Sequence, residues 1–353
     1  MGSFIPYGQP GLFDTFIASL HADATQTPLM RMGRQVQWSL FEPALHSVVP
    51  RKDPAKGPGG RPRFHPLLMF KILVLQHFHG LADDATSFQI SDRNSFRAFL
   101  GLTPADPVPD GQTIHDFRQA LIHAGLIDTL FTAFLEHLQK QHGLALAKKG
   151  VMIDASFCEV PRQRNSREQN AQIKAGQVPA DFQAQPKRRA HKDTDARWTK
   201  KNHDSYYGYK DHVKVDVADK IILKAVVTAA NVHDSQAVPR LVCEGDKVLY
   251  ADSAYQTAPI KARLAEDNIQ ARINERGTHV RPLSEEQKAA NREKSKIRSR
   301  VEHVFAQMRG TMKALYQRCI GLRRNEAGIQ LANLVYNLVR FEQIKRLQQQ
   351  KAA

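Results

Sequence analysis

Cysteine is scarce in this chain: three among 353 residues, at Cys158, Cys243 and Cys319. The odd number and wide spacing exclude a disulfide framework and the paired-cysteine pattern of a zinc site. Long apolar runs are also missing, and no stretch approaches the roughly 20 residues that a membrane-spanning helix needs. The opening MGSFIPYGQPGLFDTF has no basic region followed by an apolar one, so no secretory signal is expected. There is no glycine-rich loop ending in Lys-Ser or Lys-Thr, and no nucleotide cofactor is expected. A nucleophile-elbow sequence is absent, which leaves a Ser/His/Asp hydrolase without support. Neither an amphipathic anchor nor a lipidation signal occurs, so no membrane partner is expected. These absences suit a globular protein of a reducing cytoplasm.

Acidic residues are in deficit, and unevenly so. The chain has 51 Lys and Arg against 35 Asp and Glu, a net of +16. Residues 1–150 hold 14 basic and 12 acidic residues, which leaves 37 and 23 for residues 151–353. Within Lys288–Arg324 there are 11 basic and 2 acidic residues, and that stretch surrounds Glu302. A solvated basic helix would explain one such run. A half-chain this basic points to a polyanion, and nucleic acid is the better reading.

The pattern along the chain changes near residue 150. Residues 1–30 show no clear periodicity and are expected to be a loosely ordered arm. Val36–Val49 reads as a short amphipathic helix, and Arg51–Arg63 as a Pro/Gly/basic loop. HPLLMFKILVLQ (His65–Gln76) suits a buried helix with Pro66 in its first turn. Asp83–Leu100, Thr113–Gly125 and Asp128–His142 continue at helical spacing. Residues 31–148 therefore read as an all-helical domain. VMIDASF (Val151–Phe157) then reads as a strand, and residues 161–204 as a long basic loop. YYGYKDHVKVDVAD and IILKAVVTAA are strands around a turn at Ala218–Lys220. A helix starts at Asn231–Asp234, with Asp234 or Ser235 as N-cap. Strand Lys247–Tyr255, helix Ala258–Asp267 and strand Ile269–Asn274 follow. A long basic helix is expected from Ser284 to Met312 and an amphipathic one over residues 328–347. Three strands followed by alternating helices and strands suit a mixed sheet with helices on its faces, the element order of the ribonuclease H fold. The fold class is thus α+β overall: a helical N-terminal domain, then a mixed α/β domain over residues 149–353.

Two strands contain an acid where apolar residues are expected: Asp154 in VMIDASF and Asp252 in VLYADSAY. A lone carboxylate in a buried strand is costly unless something pairs with it. Each lies near the end of its apolar run, where strand ends open into sites. Glu302 flanks the apolar face formed by Val301, Val304, Phe305 and Met308. Arg298 and Arg309, four residues before and seven after, share its side of the helix. Three carboxylates can hold Mg²⁺, which takes oxygen ligands and keeps positions for water and phosphate. Two such ions assist both oxygens of an in-line phosphoryl displacement, with the arginines gripping phosphate. The plainer alternative is that these acids cap helices or pair with arginine, Arg298–Glu302 being a simple i,i+4 pair.

Several segments together carry a resemblance. They are GRPRFHPLLMFKILVLQ, FRAFLGL, VPDGQTIHDFR, MIDASFCEVP, DARWTKKN, YYGYKDHVKVD, TAANVHDSQAVPRL, LYADSAY, SRVEHVFAQMRG and GLRRNEAGIQLANLVYNLVR, in this order. From Trp38 to Phe341 the chain resembles bacterial insertion-sequence transposases of the IS-five family, a DDE group with the ribonuclease H fold. The resemblance implies that Asp154, Asp252 and Glu302 are the catalytic DDE triad and ligate two Mg²⁺ ions, for which Mn²⁺ can substitute. The family's third-carboxylate motif has Tyr, Arg, Glu and Lys. Arg298 and Glu302 match it, Arg309 replaces the Lys with its charge kept, and Ser295 stands at the Tyr position. Double-stranded DNA is the implied partner, with the helical domain helping to recognise terminal inverted repeats. Synapsis of two transposon ends implies a homodimer or larger assembly, and a cytoplasmic, nucleoid-associated location follows.

Candidate DNA contacts are Arg298, Arg309, Lys296, Arg300, Arg323, Arg324, Lys200, Lys201 and Lys210. Tyr207 and Tyr209 could stack on bases, but packing on the sheet is the plainer reading. His233 and Asp234 are better read as a helix cap than as metal-site groups. His65, His77, His79 and His115 lack metal-site spacing. Two rival functions stay open: a nuclease of the same fold that cuts without joining, and a DNA-binding protein with a dead catalytic half.

Overall fold

Turn chemistry and capping set the element boundaries in the computed structural model, which describes residues 4–9, 27–48 and 62–352. Most of the expected arm and nearly all of the Arg51–Arg63 loop lie outside the described residues. Contacts divide the chain into two compact units: Met1–Leu144 with Leu334–Ala353, and Ala145–Asn333.

The first unit is helical. Its helices are α1 (Pro28–Gln35), α2 (Glu42–His46), α3 (Pro66–His79), α4 (Asp83–Asp92), α5 (Asn94–Leu100), α6 (Gly111–Ala124) and α7 (Leu126–His142). The single helix expected over Val36–Val49 is instead a 3₁₀ turn, Trp38–Phe41, running into α2. Helix α3 starts as the sequence predicts, with Pro66 at its first position and the His65 ring accepting from Leu67 N. It ends on Gly80 in the left-handed conformation. The aromatic core includes Phe41, Phe70, Phe134 and Phe341, with Phe41 and Phe70 ring centres 4.8 Å apart. Arg118 of α6 grips both Asp83 oxygens of α4, at 2.7 and 2.6 Å. Among the described residues, no single helix is long and apolar enough to cross a membrane.

The second unit is built on a six-stranded mixed sheet. Strand β1 (Val151–Glu159) precedes three short helices, α8 (Arg167–Lys174), α9 (Ala180–Ala184) and α10 (Pro186–Ala190). Then come β2 (Arg197–Lys201), β3 (Asp204–Asp216), β4 (Ile222–Ala229), α11 (Val238–Leu241), β5 (Val248–Ala251), α12 (Ala258–Glu266) and β6 (Gln270–Ile273). Helices α13 (Glu285–Arg298), α14 (Glu302–Gly310) and α15 (Leu322–Ala352) complete the chain. The sheet order is β2-β3-β1-β5-β6, with β4 also pairing β3. Strand β3 is antiparallel to each of its partners β1, β2 and β4, while β5 and β6 run parallel to β1. This mixed sheet after N-terminal helices is that of a ribonuclease H-like catalytic domain. Val151, Ile153, Leu249 and Ala251 pack one face against Val238 and Leu241 of α11 and Ile260 and Leu264 of α12.

Residues 161–204 differ from the loop their polarity predicts. A few apolar anchors, Ile173, Phe182 and Ala196, are buried and hold α8–α10 and β2 in place. The buried Asp193 carboxylate accepts from the Tyr209 hydroxyl at 2.8 Å and from the amides of Asp195, Ala196 and Gly321. One satisfied acid thus fixes a segment too poor in apolar residues to be read as folded. Gly208 permits the β1–β3 pairing. Its φ is +145°, and a Cβ there would strike the Cys158 carbonyl oxygen.

Candidate active site

Register brings the first two acids together. Strands β1 and β5 are parallel, with Met152 beside Tyr250. Two residues further along, Asp154 and Asp252 emerge on the same face, because side chains alternate with period two. That face is opposite the one that carries Val151, Ile153, Leu249 and Ala251. Asp252 lies just past the end of β5, short of the strand end expected at Tyr255. Its Oδ1 accepts from Ala254 N at 2.8 Å and caps a 3₁₀ turn, Ser253–Tyr255.

The third acid arrives from a broken helix. The continuous helix expected from Ser284 to Met312 is interrupted by a 3₁₀ turn, Ser299–Val301, and Glu302 is the first residue of α14. Val301, Val304, Phe305 and Met308 are buried, as the apolar stripe predicts. Ser295 Oγ accepts from Asn274 Nδ2 at 2.9 Å. Asp154, Asp252, Glu302, Arg298 and Arg309 line one cleft of about 660 Å³, together with Lys201.

Glu302 is exposed, while Asp154 is largely enclosed. Its Oδ1 accepts from Ala155 N at 2.8 Å and its Oδ2 from Arg298 Nη1 at 2.9 Å. Arg298 Nη1 lies 3.8 Å from Glu302 Oε1. Burial pushes the Asp154 carboxyl up to about 6; Ala155 N–H and Arg298 oppose that rise, while Asp252 and Glu302 add to it. The Arg298–Glu302 ion pair of the plainer reading therefore exists, but the same guanidinium also reaches the acid on β1.

Oxygen donors of this type suit a hard divalent cation. Among the described residues, however, no three His, Cys, Asp or Glu side chains are gathered into a ready metal cage. Arg298 stands between two of the candidate ligands.

The other predicted contacts are scattered. Arg309 is exposed, with Nη2 3.5 Å from Ser156 Oγ. Lys200 and Lys201 are exposed at the end of the β2–β3 hairpin. Lys296 pairs with Glu293 at 2.6 Å on the surface, Arg300 is half-buried, and Arg323 and Arg324 are exposed in the first turn of α15. Lys210 is turned inward, donating to Asp234 Oδ1 at 2.7 Å and Val232 O at 2.8 Å. His233 caps the turn, accepting from Ser235 N, one residue before the expected cap Asp234 and two before the alternative Ser235. Tyr207 and Tyr209 are both buried.

Sequence reasoning passed over Ser156, Lys313, Tyr316 and the stacked pair Phe157 and Tyr206, whose ring centres are 4.2 Å apart. All of them line the cleft. Lys313 contributed only to the charge count, and no spacing rule links Phe157 to Tyr206 across two strands.

The domain is ribonuclease H-like, and one cleft in it gathers the three carboxylates Asp154, Asp252 and Glu302 and four basic side chains. A family model described as "Transposase DDE domain" matches residues 146–338, and one described as "Transposase domain (DUF772)" matches residues 19–120. The chain belongs to the DDE transposase family, whose members cut DNA and transfer its strands, and is of the insertion-sequence kind. No solved structure matches it.

Proposed function

We propose that this chain is an insertion-sequence transposase of the IS-five kind. It would bind terminal inverted repeats, cut at the transposon ends and join the freed 3′-hydroxyl to target DNA. The observation that carries this reading is the meeting of Asp154, Asp252 and Glu302 in one cleft with Arg298, Arg309, Lys201 and Lys313.

In this reading the three carboxylates hold two Mg²⁺ ions, with Mn²⁺ as substitute. A metal held by Asp154, Asp252 and Glu302 would supply activation of water or of the 3′-hydroxyl and would offset charge at the reacting phosphate. Asp154 is held on β1 and Asp252 just past the end of β5, and each accepts a backbone N–H, from Ala155 and Ala254, so two acids are oriented in advance. Arg309, Lys201 and Lys313 hold the phosphates flanking the scissile bond. The helical unit recognises the end sequence, and two chains bring two ends together.

Plasmid carrying the element's own ends tests this. Wild type with Mg²⁺ is expected to cut at the ends and give strand-transfer products. Asp154→Ala, Asp252→Ala and Glu302→Ala should bind end DNA yet lose about 10³-fold or more of the cutting rate. Cutting by the variants at the wild-type rate would remove the triad assignment.

A further inference from the structure

Arg298 stands between Asp154 and Glu302, two of the three candidate acids of the cleft. It is the last residue of α13, immediately before the 3₁₀ turn that leads to Glu302. Its Nη1 binds Asp154 Oδ2 and faces Glu302 Oε1, and its side chain is only 21% exposed. Its Nε is buried and has no hydrogen-bond partner. A guanidinium offers five N–H donors in a rigid fork. Here one inward-facing donor goes unused, so charge rather than complete hydrogen bonding holds the fork in place. Three carboxylates converging without a counter-charge would repel one another, and Arg298 supplies that charge in the protein alone.

Asp154 Oδ2 cannot accept from Arg298 and ligate a cation along the same direction. A divalent ion a few ångströms away would also repel the guanidinium. The cleft has a second partner for it: a phosphate held by Arg309, Lys201 and Lys313 would accept both arms of the fork.

Given the reading that Asp154 and Glu302 are cation ligands, we infer that Arg298 is an exchangeable counter-ion that couples cation binding to DNA binding. It neutralises the acids until a cation replaces it, and then turns to the DNA phosphate. Each ligand removes a cost that the other would meet alone, so DNA tightens cation binding and the cation tightens DNA binding by the same factor.

The test is Mn²⁺ titration of the full chain, read from the electron paramagnetic resonance signal of free Mn²⁺, with and without an end duplex. Without DNA, Arg298→Gln is expected to bind Mn²⁺ about tenfold more tightly than wild type, because a charge-assisted hydrogen bond no longer competes. Adding the duplex should tighten Mn²⁺ about tenfold in wild type and less than about twofold in Arg298→Gln. Arg298→Lys keeps the charge without the fork. It should fall between the two, and it serves if the glutamine variant does not fold. Wild-type or weaker Mn²⁺ binding by these variants overturns the proposal, as does equal tightening by DNA in wild type and variant. Asp154→Asn and Glu302→Gln separate the two failures. If they leave Mn²⁺ binding unchanged, the metal-site reading falls as well; if they weaken it, only the role of Arg298 is lost.

Discussion

Asp211 lies fully buried on β3, opposite Ser156 of β1. Its Oδ1 accepts from Asn333 Nδ2 at 3.2 Å, and its Oδ2 has no partner. Burial pushes its carboxyl from 3.8 up to about 7, which the Asn333 hydrogen bond only partly opposes. Between these two values the folded chain keeps a proton that the unfolded chain releases. The sign follows: stability declines as pH rises from about 4 to about 7, and the loss is complete above that. Three pKa units correspond to about 4 kcal/mol. Asp211→Asn keeps the shape and the acceptor for Asn333 but cannot ionise. Its advantage over wild type should be about 1 kcal/mol at pH 4.5 and about 2–4 kcal/mol at pH 8. Near neutral pH this raises the melting temperature by roughly 5–10 °C. Urea unfolding of both proteins at the two pH values measures the gap directly, because every other titrating group cancels in the difference. A Trp38→Phe background leaves Trp198 to report on the sheet unit. No gain at pH 8 would mean that the ionised Asp211 is not a cost. An equal gain at both values would assign the effect to packing rather than charge.

Three further outcomes follow from geometry already described. Gly208→Ala places a methyl group against the Cys158 carbonyl at a φ that favours glycine, and should destabilise by more than about 2 kcal/mol; a melting temperature equal to wild type would show that β1 and β3 tolerate the contact. Arg118→Ala leaves the half-buried Asp83 without its guanidinium and should cost about 2–3 kcal/mol, while adding Asp83→Asn should recover part of the loss. A double-variant loss equal to the sum of the single losses would argue that the pair does not couple. Lys201→Gln and Lys313→Gln should each weaken end-DNA binding and lower the salt slope by about 1, and an unchanged slope would place those lysines off the phosphate path.

The uneven charge, the change from helical to strand periodicity near residue 150, and the two acids set in apolar strands were all legible without coordinates. They are local properties: a strand shows itself by β-branched residues, and an acid in it stands out because burial makes it expensive. The helix start at Pro66 is local in the same sense. The break before Glu302 was not legible, because Ser284–Met312 has helical composition throughout and nothing in it forbids continuation. The ordered insertion at 161–204 was missed for a related reason. Its stability rests on Asp193, whose partners Tyr209 and Gly321 are 16 and 128 residues away.

Sequence alone therefore determined the class of chemistry to look for: which residues could be ligands, which half of the chain carries the excess positive charge, and in what order the elements come. Tertiary structure decided what each charge does. Parallel register between β1 and β5 set Asp154 on the same face as Asp252. The turn at Ser299–Val301 set Arg298 between Asp154 and Glu302 instead of on the protein surface. Lys210, as basic as Lys201 in the sequence, was drawn inward to Asp234 while Lys201 remained at the cleft. A side chain's charge is fixed by its type, but its partner is fixed by distances that close only when strands remote in sequence pair.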